Sequence, residues 1–268
     1  VTAPTPEVEV TRAGPVLHIR LNRADKRNAI TGRMYEAMAA ALAEADADAA
    51  IRAVLFSGAG QGFCAGNDLN DFVTAPPTDA GAPGFRFLRA ISTAEKVLVA
   101  AIHGNAVGVG TTMLLHCDLV VAARGARLSL PFIELGLVPE AASTLLLPRA
   151  VGHLRAAQLL LLAAPIDAET ALRWGLVNDV VDDASLMDAA AALTARIAAL
   201  PPSALRMTKR LLRDDEPGIA RRIAREGEIF RTLLGTPEFR EAATAFRERR
   251  PADFSRLAPA AEPGAARG

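Results

Sequence analysis

Gly62-Phe63-Cys64-Ala65-Gly66-Asn67-Asp68-Leu69 and Gly104-Asn105-Ala106-Val107-Gly108-Val109-Gly110 decide the reading of this chain. Each follows a short apolar run, Ala53 to Ser57 in the first case and Val97 to Ile102 in the second. Apolar runs of that length ended by glycine predict buried strands entering loops. Glycines at such junctions let the backbone approach a ligand closely or take positive φ. Unpaired N–H groups at the start of a following helix favour negative charge. A third segment, Leu135-Gly136-Leu137-Val138-Pro139-Glu140, repeats the theme and ends on an acid. Tight packing alone is the competing explanation for all three loops.

Outward from these loops, Val8, Val10 and Val16 to Leu21 predict two strands joined at the turn pair Gly14-Pro15. Thr31 fits the N-cap of a helix reaching about Asp46, with Met34, Met38 and Leu42 facing the core. Thr74 to Gly84, with three prolines and two glycines, predicts a mobile surface loop. The second glycine segment leads into a helix over about Gly110 to His116, and Leu119 to Ala122 predicts a further strand. Strands thus alternate with helices to roughly residue 180, the pattern of an α/β domain.

From Ala184 onward the signal is helical. Leu186, Leu193, Ile197 and Leu200 share one face, and Ile219, Ile223, Phe230 and Leu234 share another, with Pro201-Pro202 as the break between. The chain therefore divides into a core over 1–200 and a helical docking or oligomerisation region over 201–268. Its last ten residues, Pro259 to Gly268, read as a disordered tail.

Composition narrows the classes. Thirty Lys plus Arg balance thirty Asp plus Glu, so bulk charge selects neither nucleic acid nor an anionic membrane as partner. The two cysteines, Cys64 and Cys117, match no metal-ligand spacing and suit a reducing compartment. The first ten residues mix prolines, threonines and acids instead of forming an apolar signal segment. Apolar stretches such as Ala156 to Ala164 are too short to span a bilayer. These features predict a cytoplasmic protein. His18, His103, His116 and His153 are scattered, so no metal site is expected. Neither loop has the order of a dinucleotide or P-loop signature, and no nucleophile elbow is present.

Taken in order and spacing together, the segments resemble the crotonase superfamily, the enoyl-CoA hydratase/isomerase family, over nearly the full chain. Asn22-Arg23-Ala24-Asp25-Lys26-Arg27-Asn28-Ala29 resembles the family's CoA-binding segment. Phe63 to Leu69 resembles its first oxyanion-hole loop, and Gly104 to Gly110, closed by Cys117-Asp118, resembles the second. The resemblance implies an α/β fold, a ClpP-like spiral of ββα units, with C-terminal helices that mediate a homotrimer or a dimer of trimers. It implies an acyl-CoA thioester as substrate and no cofactor beyond the coenzyme A that the substrate carries.

Residue by residue, it implies that Ala65 and Val109 supply two backbone N–H donors to the thioester oxygen. Lys26 and Arg27 are implied for the CoA phosphates. Ala29, Cys64, Gly66, Asn67, Asp68, Leu69, Phe72, Gly108, Phe132, Leu137 and Phe246 are implied for the rest of the substrate site. Phe246 and Phe254, with Arg249 between them, resemble a C-terminal segment that reaches a neighbouring CoA site. Core packing is the alternative for Leu69, Phe72, Leu137 and the two phenylalanines, and bracing of its own loop is the alternative for Asp68.

Such a site answers a chemical need. Loss of the α-proton beside a thioester puts negative charge on the carbonyl oxygen, and preorganised donors stabilise that charge as it develops. A base must also lie within hydrogen-bond reach of the proton. Hydratase members of the family use two glutamates at places that here read Thr112 and Phe132, neither of which can take a proton from water. Glu140 after Pro139 resembles instead the Δ3,Δ2-enoyl-CoA isomerase branch, where one glutamate at this place is the base. The string Gly66-Asn67-Asp68-Leu69-x-x-Phe72 resembles that branch too. One carboxylate then moves a proton from C2 to C4, and burial is expected to raise its pKa towards about 6–7. Three alternatives stay open. Glu140 is also a suitable helix-start acid; Glu134 is a rival carboxylate for hydration or thioester hydrolysis; and a non-catalytic acyl-CoA-binding protein would also lack both hydratase glutamates.

Overall fold

Among the residues described by the computed structural model, 6–74, 76–213, 216–255 and 257, nine strands form two sheets. They are β1 (Val8–Ala13), β2 (Val16–Leu21), β3 (Ala53–Gly58), β4 (Val97–Ile102), β5 (Asn105–Val107), β6 (Leu119–Ala123), β7 (Arg127–Ser129), β8 (Ile166–Asp167) and β9 (Asp179–Val181). The larger sheet runs β1-β2-β3-β4-β6-β9 and the smaller runs β5-β7-β8. Only β1 and β2 pair antiparallel in the larger sheet, as a hairpin closed at Gly14-Pro15.

Successive turns of chain place one strand in each sheet. β4 is followed at once by β5, and β6 by β7; after β3 the same step is made by a single parallel bridge, Cys64 to Ala106. That repetition is the spiral of ββα units. β5, β7, β8 and β9 are two or three residues long, too short for a period-2 pattern to announce them.

The helices are α1 (Gly32–Ala47), α2 (Leu69–Thr74), α3 (Pro83–Thr93), α4 (Val109–Thr112), α5 (Ser143–Val151), α6 (His153–Leu162), α7 (Ala168–Trp174), α8 (Leu186–Ala198), α9 (Pro202–Leu212), α10 (Glu216–Leu234) and α11 (Pro237–Glu248). Thr31 caps α1, its hydroxyl oxygen accepting the Met34 N–H at 3.3 Å. Met34, Met38 and Leu42 are buried against the sheet, each contributing about 1.5–3 kcal/mol by leaving water. β3 is apolar on both sides because both are covered: Val54 and Phe56 face the cluster holding α1 and α3, while Ala53 and Leu55 face Leu186, Ala190 and Ile197 of α8.

Three local expectations change. The helix expected over Gly110 to His116 is the single turn α4 running into a 3-10 turn, Met113–His116. The stretch expected as a loop, Thr74 to Gly84, has helix at both ends, since α2 finishes at Thr74 and α3 starts at Pro83. Leu200 is exposed and leaves the face shared by Leu186 and Ile197. The tail expected at Pro259 to Gly268 lies outside the described residues, as do residues 1–5.

Asp118 ties the C-terminal helices to the sheet. Its carboxylate accepts the Leu98 N–H at 2.7 Å, lies 2.8 Å from the buried Lys209 ammonium of α9, and lies 3.2 Å from Arg213. Lys209 also donates to the Lys96 carbonyl, and Arg213 to that of His116. So anchored, α10 packs on α3 and α5, and α11 packs on the 3-10 turn Ile133–Leu135. No helix among the described residues is long and apolar enough to cross a membrane.

Candidate active site

The two glycine loops and the segment before α1 converge on one spot. Asn28, fully buried at φ +57°, is the staple: its amide donates to the carbonyls of Ala59 and Gly62 at 2.8 Å each, and its side-chain oxygen accepts the Arg23 N–H at 2.9 Å. Cys64 N–H donates to Asn105 O at 3.0 Å and Val107 N–H donates to Cys64 O at 2.9 Å, zipping the loops together. Gly66 has φ +93°, and a Cβ there would lie 3.3 Å from the Val107 carbonyl oxygen, so a larger residue would push the loops apart.

The donor expected at Ala65 is corrected by this geometry. Ala65 N–H is already committed to the Arg27 carbonyl at 3.0 Å. In the neighbouring parallel bridge, Ile30 N–H bonds to Gly66 O and Asp68 N–H bonds to Ile30 O. Peptide groups of an extended chain alternate sides, so Asn67 N–H points away from Ile30, and it has no acceptor among the described residues. Val109 N–H, first in α4, is likewise without one, as helix starts leave their donors free. The two available amides are therefore those of Asn67 and Val109.

Glu140 sits where burial dominates its chemistry. It is 6 % exposed, and its Oε1 accepts the Thr112 hydroxyl at 2.6 Å. Removal from water pushes its pKa up to about 7, the Thr112 hydrogen bond opposes the rise, and the charge of Glu226 adds to it. The turn that follows is strained: Ala141 and Ala142 have φ +64° and +54°, at a cost of roughly 1–3 kcal/mol each. Local bonds hold it. Ser143 Oγ donates to Glu140 O at 2.6 Å, and His116 Nε2 donates to Ala141 O at 2.8 Å. Burial lowers the His116 pKa to about 4, which leaves the ring neutral with its proton on Nε2.

Two adjoining cavities frame these groups. The larger, about 760 Å³, is lined by Lys26, Arg27, Ala29, Ala65, Gly66, Asn67, Asp68, Leu69, Phe72, Gly108, Val109, Phe132, Leu137 and Phe246. The smaller, about 240 Å³, takes in Glu140, Tyr35, Phe72, Phe85, Leu88 and Phe230. Asn67, Asp68, Phe72 and Phe230 line both. Cys64 is corrected: it lines neither cavity and is fully buried, its thiol pushed up to about 12 by desolvation, so it serves the loop backbone. Asp68 braces its loop through Arg23 at 2.7 Å and the Asn70 N–H at 3.0 Å. Glu134 is exposed on the rim of the larger cavity and does not line the smaller. Phe246 is 61 % exposed at that rim.

Sequence patterns missed four contributors. Tyr35 donates from its hydroxyl to the Asn67 side-chain oxygen, yet on α1 it reads as one more core residue. Phe230 likewise reads as helix packing, and Phe85, just past the expected loop, carries no pattern of its own. Glu226, 4 % exposed on α10, accepts from the backbone N–H and hydroxyl of Thr144, and its Oε2 has no partner among the described residues. Burial pushes its pKa up to about 7. No group of three or more potential metal ligands occurs among the described residues.

Residues 11–256 match the family described as enoyl-CoA hydratase/isomerase. The chain is 35 % identical over 248 residues to 1,2-epoxyphenylacetyl-CoA isomerase of Escherichia coli K12, covering 90 % of this chain and 95 % of that one. It is 34 % identical over 253 residues to 2,3-dehydroadipyl-CoA hydratase of the same strain, covering 92 % and 98 %. Among solved structures, an enoyl-CoA hydratase/isomerase from Pseudoalteromonas atlantica T6c superposes with a TM-score of 0.90 at 41 % identity, over 93 % of this chain and all of that one. Pseudomonas aeruginosa OdaA superposes with a TM-score of 0.88 at 45 % identity, over 90 % and 99 %.

Proposed function

The chain belongs to the enoyl-CoA hydratase/isomerase family, and from that membership we propose that it is a Δ3,Δ2-enoyl-CoA isomerase with Glu140 as its one base. The observation that carries the reading is the Glu140 carboxylate: buried beside an apolar cavity, oriented by Thr112, and titrating at about 7. At that pKa both the base and its conjugate acid are populated near neutral pH, as a group that must take a proton and return it requires.

In the proposed step, Glu140 removes a proton from C2 of a 3-enoyl thioester. The C2–H electron pair spreads over the thioester oxygen and the C3–C4 double bond. The N–H groups of Asn67 and Val109 hold the oxygen's negative charge, the second from the start of α4. Protonated Glu140 then delivers its proton to C4, leaving the double bond between C2 and C3. Lys26 and Arg27, exposed on the larger cavity, take the CoA phosphates. Apolar side chains exposed on α6 (Leu154, Leu161, Leu162) and α9 (Met207, Leu211) support assembly as a homotrimer or a dimer of trimers, to be read by sedimentation velocity.

Hydration or thioester hydrolysis through Glu134 is the second reading. Its support is the cavity-rim position of that residue and a relative that is a hydratase. Turnover of 3-hexenoyl-CoA and of crotonyl-CoA by the chain and by Glu140→Gln and Glu134→Gln separates the two. Isomerisation lost only with Glu140→Gln supports the proposal. Hydration that depends on Glu134 overturns it, and tight thioester binding with no turnover points to a non-catalytic binding protein.

A further inference from the structure

The smaller cavity has a composition of its own. Tyr35, Phe72, Phe85 and Phe230 line it, four of the twelve aromatic side chains in the whole chain. They come from four helices, α1, α2, α3 and α10, so the box is a product of tertiary packing. Phe72 and Phe230 stand edge to face, with ring centroids 5.8 Å apart and planes at 65°. Phe85 is seated against α10 because that helix carries Gly227 there: a Cβ at 227 would lie 2.7 Å from the ring. Leu88 and Ile30, both buried, complete the apolar wall.

Three polar side chains in this wall are engaged within the protein. The Tyr35 hydroxyl donates to Asn67, the Asp71 carboxylate accepts the Gly32 N–H at 2.8 Å, and Asp68 is held by Arg23. The wall left to a ligand is mostly ring and aliphatic carbon, with the Asn67 N–H and the Glu140 carboxylate as its polar points. Size limits the occupant. A sealed cavity of about 150 Å³ suffices for benzene, so about 240 Å³ has room for a six-membered ring and a short linker. Aromatic edges and faces favour an aromatic guest over an aliphatic one of equal size.

From this geometry we propose that the acyl group this enzyme takes is compact and aryl-bearing, with its ring in the box formed by Tyr35, Phe72, Phe85 and Phe230. The inference rests on the proposed function only for the orientation of the thioester, with CoA in the larger cavity and C2 beside Glu140. It assigns Phe72 and Phe230, which line both cavities, as specificity-determining residues.

The test is calorimetric binding, to the full chain, of thioesters with no alkene to isomerise or hydrate: phenylacetyl-CoA, cyclohexylacetyl-CoA, hexanoyl-CoA and dodecanoyl-CoA. Phenylacetyl-CoA is expected to bind roughly tenfold more tightly than either straight-chain thioester, with the cyclohexyl compound between. Affinity that climbs with chain length until dodecanoyl-CoA equals phenylacetyl-CoA overturns the proposal, and so does equal binding of the phenyl and cyclohexyl compounds. Phe72→Leu, which keeps bulk and removes a ring, is expected to reduce the phenylacetyl-to-hexanoyl ratio several-fold; should it not fold, Phe230→Leu makes the same comparison. An unchanged ratio counts against the box. Turnover of 3-hexenoyl-CoA is scored separately. Its absence sinks the isomerase reading and leaves the ring preference to be judged on binding alone.

Discussion

The Thr112 hydroxyl donates to Glu140 Oε1 at 2.6 Å, so the position where hydratases of this family carry a glutamate here serves the other carboxylate. The bond favours the ionised form of Glu140, against the burial that favours the neutral one. Thr112→Val keeps the shape and removes the donor, so the Glu140 pKa rises above about 7. The base must be ionised, and the acidic limb of the kcat/KM profile is expected to move to higher pH. Activity at pH 7 falls about three- to tenfold and largely recovers by pH 9. A limb that stays in place would show that Thr112 does not tune the base.

Glu226 acts on Glu140 in the opposite sense. Its charge raises the Glu140 pKa, and Glu226→Gln removes that charge while keeping an acceptor for the Thr144 N–H. The acidic limb is expected to move to lower pH, opposite to Thr112→Val, with little change in the plateau rate. Profiles of the two variants measured together check the sign, and shifts in the same direction would exclude the arrangement.

Stability and activity are expected to part company at Glu140. Its folded pKa of about 7 lies above its value in the unfolded chain. The folded state therefore binds the proton more tightly, and this contribution is fully present below about pH 4.5 and lost as pH rises through about 7. Glu140→Gln removes the penalty. The variant is expected to be more stable than the parent at pH 8, by at most about 3 kcal/mol, and no more stable at pH 4.5. The same variant loses about 10²–10⁴-fold in turnover. Thermal melts at the two pH values check this; a Tm difference that does not change with pH removes Glu140 as the titrating group.

The Val109 donor is a backbone group, and proline can delete it. Val109 is the first residue of α4, where proline is tolerated. Gly108 before it has φ +54° and ψ −118°, a conformation glycine takes freely. Val109→Pro is expected to fold and to lose about 10²–10³ in kcat. A kcat within threefold of the parent, with circular dichroism unchanged, would place the oxyanion elsewhere.

Much of this protein is legible in its sequence, because the deciding features are local. Glycine at 66 and 108, the Thr31 cap and the continuous apolar runs at β3 and β4 each act within a few residues of themselves, so they can be read in order along the chain. The order of the glycine loops likewise carried the family, and Pro139-Glu140 pointed to the carboxylate proposed as the base. What the tertiary structure decided is which groups meet. The Ala65 amide is taken by an acceptor 38 positions upstream, Arg27, and the Asn67 amide is left open because chain alternation in a parallel bridge turns it away from Ile30. Thr112 and Glu140 are 28 residues apart, and Thr144 and Glu226 are 82 apart. The aromatic box joins four helices. Hydrogen bonds and desolvation depend on distances of a few ångströms in space, and periodicity along a sequence carries no record of distances that only folding creates.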